Sequence, residues 1–472
     1  MEPSTSQDGK ASEALGGAPR TLVLCFDGTA GQFDNDNSNV VKLFSLLKKD
    51  PEEQLCYYQA GIGTWFKPGI VSPVLHWFAV LMDLGIAWYM DEHVLDGYRF
   101  IMQNYKAGDK VCLFGFSRGA YTARALAGML HKVGLLPRDN DAQMPFAYKL
   151  YQREDAAGLA LCAGFKRTYC REVKIEFVGV WDTVASVGVI MGRSLPFTNS
   201  NTSVKTFRHA LSLDEHRARF RPNLYHYLTV NNVMAMQAPA PKHMPLELTA
   251  SPSPKSSSSS ASSSSDESSK KKSQSVLDKI KAKAHRRRTL QSIKEKLADK
   301  GKASTAPVVG SDDVLEVWFS GCHEDVGGGS VANEAPHCLS NISLRWMVRQ
   351  AIITNSGILF DEVALERLKI DFGPERTKEG ESLDAVDAVQ PIHDQLKRMP
   401  LWWILEIMPM TYVWQDKDGA WHRTFRWHLG KGRKIEDNHP HLHETVKIRM
   451  ADPSLGYKPR AQWEKDTEVY VQ

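Results

Sequence analysis

Three side chains far apart in the chain each stand where an apolar run ends, and together they have the types needed for nucleophilic catalysis. Val111-Cys-Leu-Phe-Gly115-Phe-Ser117-Arg118-Gly119-Ala120 carries an apolar run into Gly-x-Ser-x-Gly and then into a small-residue helical pattern through Arg124. This order of strand, glycine-flanked serine and helix is the signature of a nucleophile elbow. The turn lifts the Ser117 hydroxyl out of a sheet, and Gly115 and Gly119 leave room for neighbouring backbone to pass. At a helix N-terminus the dipole and the first N–H groups favour a developing oxyanion. The competing reading is a tight strand-to-helix turn carrying an inert serine.

A serine nucleophile needs a base, and the base needs a group that orients it. On this fold the acid and the histidine follow the serine in that order, at the ends of later strands. Val178-Gly-Val-Trp181-Asp182-Thr183 puts a carboxylate at one strand end. Val317-Trp-Phe-Ser-Gly321-Cys322-His323-Glu324-Asp325 puts an imidazole just past another, ahead of Gly327, Gly328 and Gly329. Asp182 is the expected acid, although a helix-capping role is also open to it. Asp325 is the alternative acid, more suited to tying down the glycine loop. The first strand ends Phe26-Asp27-Gly28-Thr29, so the N–H groups of Gly28 or Thr29, with that of Arg118, are the candidate oxyanion donors. Asp27 is a further nearby carboxylate. Asp27-Gly28-Thr29 is similar to the close of the Asp-x-Asp-Gly-Thr motif of haloacid-dehalogenase phosphatases, but Cys25 stands where that nucleophile would be. Asp34 to Asn39 lacks the glycine and closing Glu of a calcium loop and reads as a turn capping a helix from Val40. His439-Pro-His441-Leu-His443-Glu444 offers no second ligand pair, so no metal site is expected and the chemistry calls for no cofactor.

Six blocks then fall in order: Phe26-Asp-Gly-Thr29, Tyr57-Tyr-Gln-Ala-Gly-Ile-Gly-Thr64, Gly115-Phe-Ser-Arg-Gly-Ala120, Val180-Trp-Asp-Thr-Val-Ala-Ser186, His209-Ala-Leu-Ser-Leu-Asp-Glu215 and Gly321-Cys-His-Glu-Asp-Val-Gly-Gly-Gly329. Together they resemble the α/β-hydrolase catalytic domain of the type VI secretion phospholipase effectors, which many fungal proteins also carry. The resemblance runs from about Thr21 to Asn355. It implies an α/β-hydrolase fold, a Ser117-Asp182-His323 triad and an ester substrate that is a lipid or phospholipid.

The elements that must position these residues are legible in the apolar pattern. Thr21–Phe26, Val111–Phe114, Ile175–Val180 and Leu315–Phe319 are near-continuous apolar runs, as in a parallel sheet covered on both faces. Helical patterns at Val40–Leu47, Glu92–Tyr105, Ala120–Leu130 and Ser343–Ile353 alternate with them. The alternation predicts a doubly wound α/β fold with a mostly parallel sheet. The domain occupies 21–250 and 311–355, between a disordered tail at 1–20 and a C-terminal extension at 356–472 that packs on it.

The 251–310 insert is of another composition. Residues 251–275 hold 15 serines, too little apolar surface to fold. Residues 251–310 carry 14 Lys/Arg against 5 Asp/Glu, a surplus larger than the net +4 of the whole 472-residue chain. The rest of the protein is therefore net acidic, and no nucleic-acid partner is expected. Val276–Asp299 fits a basic amphipathic helix, and Lys283–Arg288 is read as a solvated linker before a nuclear-import or anionic-lipid patch.

Seven cysteines without a Cys-x-x-Cys pair, and an N-terminus without an apolar leader, suggest an intracellular, cytoplasmic protein, or a nuclear one if the basic insert is an import signal. Ile70–Met90 contains Pro73, His76, Asp83 and Gly85, which suits a buried or surface-docking loop and helix better than a membrane span. Met399–Trp414 has one charge in sixteen residues and is expected to be a buried helix, with a lid or a transient membrane-surface patch as the other reading. The class of function that competes with a serine esterase is a non-catalytic α/β-hydrolase-like scaffold regulated through the Ser/Lys-rich arm. Deletion of 251–310 separates the two: an enzyme keeps its turnover without the arm, whereas the scaffold loses its partner.

Overall fold

The computed structural model describes residues 19–29, 31–61, 83–184, 195–198, 203–225, 313–371, 373, 377–415 and 421–472, all within one compact unit. The tail up to residue 18, most of the apolar stretch at 70–90 and the whole 251–310 insert with its basic helix pattern lie outside these residues.

The four apolar runs form strands β1 (Thr21–Phe26), β3 (Lys110–Phe116), β4 (Ile175–Trp181) and β6 (Asp313–Phe319), and two strands that the pattern did not mark, β2 (Gln54–Gln59) and β5 (Val204–Ser212), pair among them. Two further strands, β7 (Met410–Gln415) and β8 (Trp421–Arg426), pair antiparallel with each other. Short strands β9 (His441–His443) and β10 (Val469–Val471) join the main sheet from the C-terminal segment. Its order is β10-β9-β6-β5-β4-β3-β1-β2, and every neighbouring pair is parallel. This is the doubly wound α/β arrangement.

Both faces of the sheet are covered, and this is why the strands are apolar without alternation. Leu22, Leu24 and Phe26 of β1 pack into one core with Val94, Tyr98 and Leu126 from helices Asp83–Asn104 and Ser117–Val133. Val23 and Cys25 face a second core with Leu43, Trp346 and Met347 from helices Asn39–Leu46 and Ser340–Ile353. Ser38 caps the first of these helices by accepting from the Val41 N–H. The 356–472 segment contributes to a third cluster, in which Ile435, Leu442 and Val446 pack on Leu211 and Trp318. Among the described residues no helix is long and apolar enough to cross a membrane.

The chain visits β1, moves out to β2, then crosses back to β3 on the other side of β1. At such a reversal the loops leaving the carboxyl ends diverge and open a crevice. The loop at Asp27–Thr29 and the turn at Ser117 lie at this point. Register puts the ends of the next strands alongside, with Phe116 beside Trp181, Trp181 beside Ala210 and Ser212 beside Phe319.

Candidate active site

Ser117 leaves β3 with φ 57°, a left-handed conformation that costs a non-glycine residue of order 1–3 kcal/mol. The surrounding contacts impose it. A Cβ on Gly115 would sit 2.5 Å from the Gly119 carbonyl oxygen, and one on Gly119 would sit 2.2 Å from that of Phe26. Only glycines allow the helix Ser117–Val133 to start this close to β1. The serine is thereby presented at the start of a 17-residue helix, where the backbone N–H groups of the first turn point out of the helix end.

His323 opens a short helix, His323–Gly327, directly after β6. Its Nε2 lies 2.8 Å from Ser117 Oγ and its Nδ1 2.5 Å from Asp182 Oδ2. Ser117, His323 and Asp182 are 5%, 3% and 0% exposed, so these bonds form away from bulk water. The imidazole lies against Phe116, with ring centroids 4.6 Å apart, and meets Phe220 edge-on at 4.8 Å. Its backbone N–H donates to Glu215 Oε2 at 3.2 Å, and Glu215 is locked in turn by the Arg217 guanidinium at 2.8 and 3.0 Å. Burial alone would raise the Glu215 carboxyl; the Arg217 charge outweighs it and brings the pKa down to about 2.

Asp182 sits just past β4 at φ 36°, its N–H bonded to the Ala210 carbonyl at 2.7 Å. Ser212 donates to the carboxylate from its N–H at 3.0 Å and its hydroxyl at 3.3 Å. Arg433 grips it with both terminal nitrogens, Nη1 to Oδ1 at 2.6 Å and Nη2 to Oδ2 at 2.9 Å. Burial pulls the Asp182 carboxyl upward; the Arg433 charge and the hydrogen bonds from His323 and Arg433 override it and hold the group well below the usual carboxylate range. Asp182 is therefore ionised at neutral pH, and the Nδ1–H tautomer donates to it.

The sequence missed Arg433. It lies in Gly430-Lys-Gly-Arg433-Lys, 251 residues from Asp182, with no strand end or motif to mark it. Glu215 and Ser212 carried a signal, since both belong to the His209–Glu215 block. The other expected residues separate by role. Asp325 does not reach His323: it accepts from the Cys322 N–H at 2.9 Å and from the N–H and Nδ1 of His393 at 2.9 and 2.7 Å. Asp27 accepts from Ser38 Oγ at 2.7 Å and Tyr58 Oη at 2.8 Å, and burial raises its carboxyl despite these bonds. The N–H of Gly28 donates to Asp27 Oδ1 at 2.7 Å. Thr29 Oγ1 is buried without a hydrogen-bond partner among the described residues. Burial also pushes the Cys322 thiol up, keeping it protonated next to the imidazole.

Residues 20–350 match the family described as the type VI secretion system phospholipase effector Tle1-like catalytic domain. The chain belongs to the Tle1-like catalytic domain family. It is 27% identical to the uncharacterized protein YEL023C of Saccharomyces cerevisiae over 538 residues, covering 91% of this chain and 79% of that one. Among solved structures it is similar to an uncharacterized protein from Pseudomonas aeruginosa, at 16% identity and a TM-score of 0.36, with 80% of this chain and 52% of that chain covered. It is also similar to the Tle1 effector bound to the VgrG spike of the type VI secretion system, at 14% identity and a TM-score of 0.37, with 91% and 95% covered.

Arg433 lies beyond the matched Tle1-like region, so the C-terminal segment adds a charged group to the set that this domain brings together. That segment also departs from expectation at Met399–Trp414. Among the side chains described there, Leu405, Glu406 and Tyr412 are buried, while Met399, Leu401, Trp403, Ile404, Ile407 and Met408 are exposed. Pro400 and Pro409 interrupt the run, leaving a 3-10 turn, a four-residue helix and the start of β7 in place of one continuous packed helix.

Proposed function

We propose that the protein is a serine hydrolase that cleaves a carboxylic ester of a lipid, with a phospholipid as substrate. The observation that carries this reading is the buried chain Ser117 Oγ–His323–Asp182, with hydrogen bonds of 2.8 and 2.5 Å at a serine held in left-handed geometry. The Tle1-like family, described by phospholipase effectors, supports the choice of substrate class.

In this mechanism Ser117 Oγ attacks the acyl carbon while its proton passes to His323 Nε2. The carbonyl electron pair moves onto oxygen, where the backbone N–H groups of Arg118 and Thr29 receive it. The tetrahedral intermediate collapses, the carbon–oxygen bond to the leaving alcohol breaks, and His323 returns the proton to that oxygen. Water repeats the sequence on the acyl-serine, releasing the fatty acid and restoring the hydroxyl. Asp182 keeps the imidazole in the tautomer that accepts at Nε2 and stabilises its charged form. Asp27 and Asp325 hold the loops after β1 and β6. The seven cysteines are free thiols, five of them buried, which supports a reducing, intracellular setting for this activity.

A fluorophosphonate probe tests the reading directly. The full chain is expected to be labelled at Ser117 and to hydrolyse phospholipid in mixed micelles, and Ser117→Ala is expected to do neither. Labelling that survives Ser117→Ala, or no labelling of the native chain, would overturn it.

A further inference from the structure

We infer that the face built by residues 399–408 and 425–429, which reaches the site through Trp402 and Phe220, docks on a bilayer surface that carries anionic lipid headgroups. The inference rests on the lipid-hydrolase reading of the site and names the surface on which that site meets its substrate.

The face is apolar on its outside and fixed from beneath. Ile407, Phe425 and Trp427 are 59%, 71% and 57% exposed, and Leu401, Trp403 and Met408 are exposed with them. Under them Glu406 is buried and accepts from the Ala218 N–H at 2.5 Å, the Gly430 N–H at 2.9 Å and His428 Nδ1 at 2.7 Å. Asp394 is likewise bonded to His216 Nε2 at 2.8 Å. A run of apolar residues held outward by buried polar anchors is a built surface, and soluble chains keep large exposed apolar patches where something binds.

Two observations choose the occupant. The first is continuity with the site: Trp402 meets Phe220 edge-on at 5.6 Å, Phe220 meets the His323 ring at 4.8 Å, and the Arg217 guanidinium lies 3.5 Å over Phe220 and 5.1 Å over Trp402. Whatever covers the face therefore lies within two aromatic rings of the imidazole. The second is charge. Lys397, Arg398, Arg423, Arg426 and Lys431 are exposed around the apolar residues. Among the described residues of 394–415 and 421–435, the acids are Asp394 and Glu406, both buried, and Lys397 lies 3.7 Å from the Asp394 carboxylate. Tryptophan, aliphatic side chains and these exposed cations match an interface of acyl chains beneath anionic headgroups.

The test is flotation of the full chain with phosphatidylcholine vesicles made with or without phosphatidylserine, run beside fluorophosphonate labelling. The native chain is expected to float with the phosphatidylserine vesicles and to be released by high salt. Ile407→Glu combined with Trp427→Ser is expected to abolish flotation. Arg423→Glu combined with Arg426→Glu is expected to weaken binding by about tenfold or more. All of these variants are expected to label at Ser117 at the native rate, which reports an intact fold and site. Native flotation by the variants, or no flotation of a native chain that labels normally, overturns the docking surface and leaves the hydrolase reading standing. Flotation without labelling overturns the hydrolase reading instead. A concentration-dependent dimer in sedimentation that Ile407→Glu abolishes, without vesicle binding, assigns the face to a second copy and overturns the lipid assignment.

Discussion

Arg433 and Asp182 form a buried ion pair that shares its carboxylate with an imidazole, and the sharing has consequences that can be measured. The guanidinium neutralises part of the carboxylate charge while fixing both oxygens, so it trades electrostatic support of the charged imidazole for precise orientation. Removing one partner of a buried pair costs about 3–5 kcal/mol, because the other charge is left uncompensated. Arg433→Ala is expected to lose about that much in urea unfolding at neutral pH, and Arg433→Lys to recover part of it. A carboxyl depressed in the folded state adds stability above its unfolded value, near pH 4, and loses it as pH falls through the folded value. In Arg433→Ala the buried carboxyl loses its main support, so the stability gap to the native chain should be widest at neutral pH and narrow on acidification. A gap independent of pH would show that the pair is not what holds Asp182. Asp182→Asn is expected to lower turnover by about 10⁴-fold, whereas Asp325→Asn should leave labelling intact and lower stability by loosening His393. The three central residues were legible because each follows an apolar strand. Arg433 was not, because a lone arginine in a Gly-Lys-rich turn leaves no pattern and its role comes from a contact across 251 residues.

At the scale of elements, the site depends on how closely the helix Ser117–Val133 approaches β1. Gly119→Ala would put a methyl group 2.2 Å from a backbone oxygen, so the helix start must shift. A displacement approaching 1 Å at a catalytic group can cost about 100-fold in rate. Gly119→Ala is therefore expected to label at least about 100-fold more slowly than the native chain, and near-native labelling would mean that the elbow is not held by this contact. The same element was the clearest in the sequence, since strand, glycine spacing and small-residue helix all agreed. Strands β9 and β10 were not legible, because three residues each are too few to establish a period. Met399–Trp414 misled for a different reason. An apolar run reports what the side chains avoid in isolation, not which surface faces them, and two prolines with one buried glutamate turned the run outward.

The whole molecule joins parts that the sequence pattern separates. The family match ends at 350, and the last block of the motif series ends at Gly329. Yet β9 and β10 extend the same sheet beyond β6, Leu442 and Val446 close a core over Leu211 and Trp318, and Arg433 reaches the Asp182 carboxylate. A chain ending at Asn355 would keep Ser117, Asp182 and His323 but expose the inner edge of β6 and leave Asp182 buried without its cation. An uncovered strand edge flanked by apolar side chains favours association between chains. The shortened chain is accordingly expected to aggregate or to give a broad, weakly cooperative thermal transition, and any soluble fraction should react with fluorophosphonate far more slowly than the full chain. Supplying residues 356–472 as a separate polypeptide during refolding should restore part of the labelling if the segment completes the fold from outside the matched domain. A monomeric, cooperatively folding chain of residues 1–355 that labels at the native rate would show instead that the hydrolase unit is finished before β9, and that Arg433 and the C-terminal strands are additions to an already working site.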